Sequence, residues 1–103
     1  MNDPLIIYGL GSTGQKIVDE LLDAGVGIDR ILDRGKAGTT YRGLPVRALG
    51  DDGAAVEGRT VLVALHNHYV DLHQLRDDLI EAGAAQVLTP TNLRQWLDGP
   101  PSW

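Results

Sequence analysis

The residues best suited to chemistry form a glycine loop near the start of the chain. The segment Ile7–Gly14 reads IYGLGSTG, and Gly9, Gly11 and Gly14 follow the spacing G-x-G-x-x-G. In a dinucleotide loop the first glycine makes a tight turn, the second lets a phosphate approach the backbone, and the third lets a helix pack closely. The N–H groups at the start of that helix attract an anion. We therefore predict a site for a small anionic ligand, a nucleotide or NAD(P); the alternative is a glycine turn that binds nothing.

Four further polar residues are candidates for the same site. Ser12 and Thr13 lie inside the glycine loop and offer hydroxyl donors. Asp33 ends the second predicted strand, where such folds place a carboxylate that accepts hydrogen bonds from ribose hydroxyls. Arg34 follows it and offers a positive charge to a phosphate. For Asp33 and Arg34 the alternative is an ordinary polar strand end.

All the histidines lie in or near a second polar loop, which reads His66-Asn67-His68 with His73 shortly after it. No acidic residue stands at an obvious ligand spacing, so we predict no metal site. Instead, His66 and Asn67 are predicted to present hydrogen-bonding groups to a base, sugar or diphosphate. In the alternative interpretation Asn67 caps a helix and the histidines are solvated. No catalytic set of nucleophile, base and orienting residue is recognisable, so we expect this chain alone to be non-catalytic.

Strands and helices that alternate along the chain must position these residues. The predicted strands are Leu5–Tyr8, Ile28–Asp33, Leu44–Val46, Thr60–Leu65 and Gln86–Leu88, and the predicted helices are Gln15–Ala24, Val70–Ala82 and Thr91–Leu97. The pattern predicts a three-layer α/β fold with a Rossmann-like, doubly wound parallel sheet of strand order 3-2-1-4-5. The third strand would be the weak edge, preceded by a stretch without helix. Ligands bind where such a sheet reverses direction, here between the first and fourth strands.

Composition limits the classes of partner. The chain has 103 residues and is 43% hydrophobic, which suits one folded domain. A net charge of −5 argues against nucleic acid or a membrane surface as the main partner. No cysteine is present, which fits a reducing cytoplasm. We expect a domain over residues 1–98, and a linker or tail over 99–103 that leads to a catalytic domain.

Several segments together resemble a known type of domain. They are LIIYGLGSTGQKIVDELLDAG, ILDR, YRGLPV and TVLVALHNHYVDLHQLRDDLIEAGAAQVLTP. Over nearly the whole chain they resemble the small N-terminal Rossmann-like domain of FkbM-type methyltransferases, which use S-adenosylmethionine (SAM). The glycine loop, the acidic residue and the G-x-P-V turn are also similar to the nucleotide-sugar-binding domain of sialic-acid and bacillosamine acetyltransferases. That second family usually has glycine or asparagine where His66 and Asn67 stand.

The resemblance implies an accessory ligand-binding module in a transferase. SAM sites normally have an acidic residue just before the glycine motif, where this chain has Tyr8, so SAM would sit on a separate domain. Two other functions stay open. One is an NAD(P)-binding domain of an oxidoreductase, and the other is a structural domain with a vestigial glycine loop. An exposed edge strand near Leu44 would also permit a homodimer.

Overall fold

The computed structural model describes residues 4–48, 56–64 and 72–89. The strands are β1 (Leu5–Tyr8), β2 (Ile28–Leu32), β3 (Thr40–Tyr41), β4 (Leu44–Arg47), β5 (Thr60–Val63) and β6 (Gln86–Leu88). The α-helices are α1 (Ser12–Asp23) and α2 (Leu72–Glu81), and a single 3₁₀ turn spans Arg34–Lys36. The predicted helix Thr91–Leu97 and the tail after it lie outside the described residues.

The sheet confirms the predicted fold class. Its order is β3-β4-β2-β1-β5-β6, and every pairing is parallel except β3 with β4. Without β3, this is the predicted order 3-2-1-4-5. β1 lies between β2 and β5, so the chain changes direction across the sheet at β1 and β5, as predicted.

Each face of the sheet carries its own apolar core. Ile7 and Ile31 pack with Val18 and Leu21 of α1, whereas Ile6 and Val61 pack with Leu79 of α2. Alternate strand residues point to opposite faces, so β1, β2, β5 and β6 each supply both cores. This explains why the central strands are continuous apolar runs rather than alternating ones.

The position of the edge strand differs from the prediction. Leu44–Val46 is not an edge, because the two-residue strand Thr40–Tyr41 pairs with it on its outer side. A two-residue strand carries no hydrophobic pattern that a sequence could reveal. Pro45 is tolerated in β4 because the parallel pairing with β2 begins only at Val46.

Two further boundaries need correction. Helix α1 begins at Ser12 rather than Gln15, because Gly11 acts as its N-cap and Gly14 already lies inside the helix. The segment after β2, predicted to have no helix, forms the 3₁₀ turn Arg34–Lys36, capped by the Asp33 side chain. Both corrections place polar groups nearer to the glycine loop than the sequence indicated.

The turn between β3 and β4 is fastened to α1. Asp19 of α1 accepts hydrogen bonds from the Tyr41 hydroxyl at 2.9 Å and from Arg42 at 3.3 Å. Partial burial raises the pKa of the Tyr41 hydroxyl, and the hydrogen bond to the Asp19 carboxylate raises it further. This contact holds the β3–β4 hairpin against the helix that begins at the glycine loop.

Candidate functional site

The glycine loop lies at the carboxyl ends of three neighbouring strands. The Gly9 N–H donates to the Leu32 carbonyl at 2.8 Å, and the Ala64 N–H donates to the Tyr8 carbonyl at 2.8 Å. These bonds extend the ladders of β1 with β2 and β5 by one residue each. The ends of all three strands are thus held level, at the edge where α/β sheets bind ligands.

The three glycines of the motif have different surroundings. Gly9 has φ +107°, which side-chain-bearing residues rarely adopt. A Cβ on Gly14 would lie 2.1 Å from the Gly9 carbonyl oxygen, so only glycine fits there. Gly11 differs from both, because its φ is −75° and an added Cβ would meet nothing within 4 Å. Fold geometry therefore explains the first and third glycines but not the second.

The start of α1 offers unpaired hydrogen-bond donors. The first intrahelical bond from the helix start joins the Gln15 N–H to the Gly11 carbonyl at 2.9 Å, and no side chain caps the helix. The N–H groups of Ser12, Thr13 and Gly14 precede that bond and have no partner within the helix. The first turn contains no acidic residue. This end of α1 is consequently suited to an anion.

Asp33 connects the end of β2 to the glycine loop. Its Oδ2 accepts a hydrogen bond from the Leu10 N–H at 2.7 Å, and its Oδ1 accepts one from the Gly35 N–H at 2.9 Å. Asp33 thus holds the loop between Gly9 and Gly11 and begins the 3₁₀ turn. An ionised carboxylate has about four lone-pair sites, so each oxygen can still accept one more hydrogen bond.

Two residues that the sequence analysis did not select also reach this loop. The Lys36 ammonium and the Gln15 side-chain amide, at 3.3 Å, both donate to the Leu10 carbonyl oxygen. The backbone of Leu10 is therefore held at its N–H by Asp33 and at its carbonyl by two donors. Both contacts end on a backbone carbonyl, so no residue pattern marks them in the sequence.

Cations predominate at this edge among the described residues. Arg34 is exposed, Lys36 and Arg47 are half-buried, and Asp33 is the carboxylate beside them. Arg47 pairs with Leu32 in the sheet and so lies next to Asp33. The local charge is positive although the chain as a whole is acidic. This favours a ligand with more than one negative charge.

The second predicted loop cannot be compared with the first. His66 and Asn67 lie outside the described residues, so their proposed contacts stay a prediction. His73 is exposed near the start of α2. In the part of the chain that the structure describes, no cluster of side chains could hold a metal ion. Nor does any described helix have the length and apolar character needed to span a membrane.

Comparison with known proteins supports the fold. Neither a protein-family model nor a curated protein matches the chain in sequence. In structure it is similar to UDP-D-quinovosamine 4-dehydrogenase from Vibrio fischeri, with a TM-score of 0.65. The match covers 99% of this chain and 88% of that one at 22% identity. The chain therefore has a Rossmann-like fold.

Proposed function

We propose that this chain is a nucleotide-binding module whose ligand lies against Gly11 and the start of α1. The observation that supports this most is that neither the backbone nor the packing at position 11 requires glycine. The φ of Gly11 is ordinary, and the space at its Cβ position is open. Beyond the modest preference for glycine at a helix N-cap, the advantage of glycine here is that a phosphate can approach the backbone closely. In this site Asp33 accepts hydrogen bonds from ribose, and Arg34 faces a phosphate.

A nucleotide sugar is the ligand we favour. The support is the resemblance in sequence to nucleotide-sugar-binding domains, together with a structural neighbour that is a UDP-sugar 4-dehydrogenase. Ser12 and Thr13 supply backbone and hydroxyl donors for the diphosphate, while His66 and Asn67 are proposed to contact the sugar or base. The module itself would bind rather than convert this ligand.

The parent enzyme is proposed to be a transferase. The resemblance to FkbM-type domains supports a SAM-dependent methyltransferase, in which this module would hold or position the substrate and SAM would bind a separate catalytic domain. A bound NAD(P) would instead support an oxidoreductase.

Calorimetric titration with UDP-sugars, NAD, SAM and coenzyme A tests the ligand class. We expect heat of binding with UDP-sugars. Heat with NAD alone would favour the oxidoreductase, and no heat with any of the four would favour a structural domain with a vestigial loop.

Variants of Gly11 test the location of the site. Gly11→Val places a side chain in the open space beside the loop, so we expect ligand affinity to fall at least about tenfold while the fold survives. Gly27→Ala is the matched control, because its Cβ would make ordinary contacts with Pro4 at the opposite edge of the sheet. Equal affinity in Gly11→Val and wild type would show that the loop is not the site.

A further inference from the structure

Lys36 brings a positive charge unusually close to the glycine loop. Its ammonium is bonded to the Leu10 carbonyl oxygen, the last carbonyl before Gly11. Standard bond lengths place a carbonyl oxygen about 3 Å from the next Cα, so the ammonium lies within about 6 Å of the Gly11 Cα. A phosphate resting against Gly11 would therefore be within reach of Lys36.

This charge lacks a carboxylate partner among the described residues. Arg30 and Arg59 share the Asp29 carboxylate, and Arg42 pairs with Asp19 and Asp23. In the same described ranges Lys36 has no ion pair, and its ammonium bonds to a neutral carbonyl. A lysine ammonium has three donors, so two are left for other acceptors.

The half-buried position of Lys36 restricts where those donors can act. Lys36 holds the carbonyl of Leu10 and Asp33 holds the N–H of the same residue, which fixes the ammonium on the loop. A fixed cation loses less side-chain entropy on binding than a freely moving surface lysine. This arrangement suits recognition of a charged group at one defined place.

We propose that Lys36 is a ligand-binding residue that contacts a phosphate of the nucleotide and sets the preference for a nucleoside diphosphate over the uncharged nucleoside. This inference rests on the proposed function and adds a residue to its site. In it the start of α1 binds the diphosphate from one side through N–H groups, while Lys36 binds it from the β2 side. In the free protein Lys36 binds the loop alone. In the complex it binds both the loop and the phosphate.

The test compares affinities for nucleosides and their diphosphates, using uridine with UDP and adenosine with ADP. In Lys36→Gln we expect affinity for the diphosphate to fall about tenfold to a hundredfold, because a charge-assisted hydrogen bond is lost. Affinity for the nucleoside should change less than about threefold. Equal weakening of the nucleoside and the diphosphate would overturn the inference.

Lys16→Gln is the matched control, since it removes the same charge from an exposed position further along α1. It should alter the preference for the diphosphate by less than about threefold. An equal loss in both variants would mean that general charge, not Lys36, sets the preference, and would also overturn the inference. If wild type binds neither diphosphate, the proposed function fails; binding with an unchanged preference in Lys36→Gln overturns this inference alone.

A second measurement uses wild-type protein and does not depend on a stable variant. The chain has two lysines, Lys16 and Lys36, so lysine labelled with ¹³C at Cε gives an NMR signal from each and leaves the ammonium donors intact. We expect UDP to shift the Lys36 signal, uridine to leave it in place, and Lys16 to respond weakly to both. If saturating UDP leaves the Lys36 signal unchanged, the proposed contact between Lys36 and the phosphate is contradicted.

Discussion

The two edges of the sheet use similar charged residues for different purposes. At the carboxyl edge, Asp33 bonds to backbone N–H groups of the glycine loop and of the 3₁₀ turn. At the amino edge, Asp29 bonds to the side chains of Arg30 and Arg59 at 2.8 and 3.0 Å. Among the described residues, Asp33 thus shapes the main chain and leaves nearby cations without an acidic partner, whereas Asp29 is shared by the two arginines beside it.

The irregular backbone segments at the two edges also have different roles. At the amino edge the pairing of β1 with β2 slips by one residue, so that Leu5 pairs with Ile28 and Ile6 with Arg30. The extra residue is Asp29, which bears the ion pairs. At the carboxyl edge the irregular segment is the loop after β1, in which both the N–H and the carbonyl of Leu10 are held by side chains. These two contacts hold the loop in one conformation before a ligand binds.

The largest expected effect comes from the third glycine. In Gly14→Ala the new Cβ would lie 2.1 Å from a backbone oxygen, so α1 must move away from β1. We expect a loss of about 3 kcal/mol or more in the free energy of unfolding, measured by urea denaturation. In Gly11→Ala, where the space is open, the change should be below about 1 kcal/mol. Similar losses in the two variants would contradict the division of roles among the glycines.

The two aspartates provide the second test. Asp33→Ala leaves the N–H of the buried Leu10 without its acceptor, so we expect a loss of about 1–3 kcal/mol and weaker nucleotide binding. Asp29→Ala breaks partly exposed ion pairs and should cost about 1 kcal/mol or less. Binding should be unaffected in that variant. Calorimetry and urea denaturation of both variants measure these effects. Loss of nucleotide binding in Asp29→Ala would contradict the different roles assigned to the two edges.

The smallest expected effect on stability concerns the β3–β4 hairpin, which is hydrogen-bonded to α1 through Tyr41. The pKa of Tyr41 is raised in the folded protein above the ordinary value of 10.0, so the unfolded chain loses this proton first as pH rises. The stability that Tyr41 contributes is therefore complete below about pH 10 and is lost as pH rises through the folded-state pKa. Tyr41→Phe should show a smaller decline in thermal midpoint above pH 10 than wild type. Parallel declines in the two proteins would exclude this role.

Much of the fold could be predicted because its signals are local and repeated. Buried parallel strands such as Leu5–Tyr8 are continuous apolar runs, and α1 carries apolar residues at helical spacing. The two-residue strand Thr40–Tyr41 could not be predicted in this way, since its pairing depends on a tertiary contact with β4. The pattern also misplaced the start of α1. Close packing requires glycine at position 14, but glycine is a poor helix former and so weakens the helical signal in the first turn.

The candidate site was only partly predictable from the sequence. The glycine spacing located the loop, and Asp33 was selected for a ribose contact. The sequence did not reveal that its carboxylate also holds Leu10. Lys36 and Gln15 were missed because their partner is a backbone carbonyl, which has no sequence signature. Contacts of this kind become visible only when the ends of β1 and β2 are placed side by side.

The most direct test of the central claim is an NMR titration of ¹⁵N-labelled protein with a UDP-sugar. We predict that the largest amide shifts occur at Gly11, Ser12 and Thr13, where the donors at the start of α1 meet the diphosphate. Amides around Asp29, at the amino edge, should hardly move. Saturating ligand that leaves the three loop amides unchanged, or that shifts mainly the amino edge, would contradict the claim.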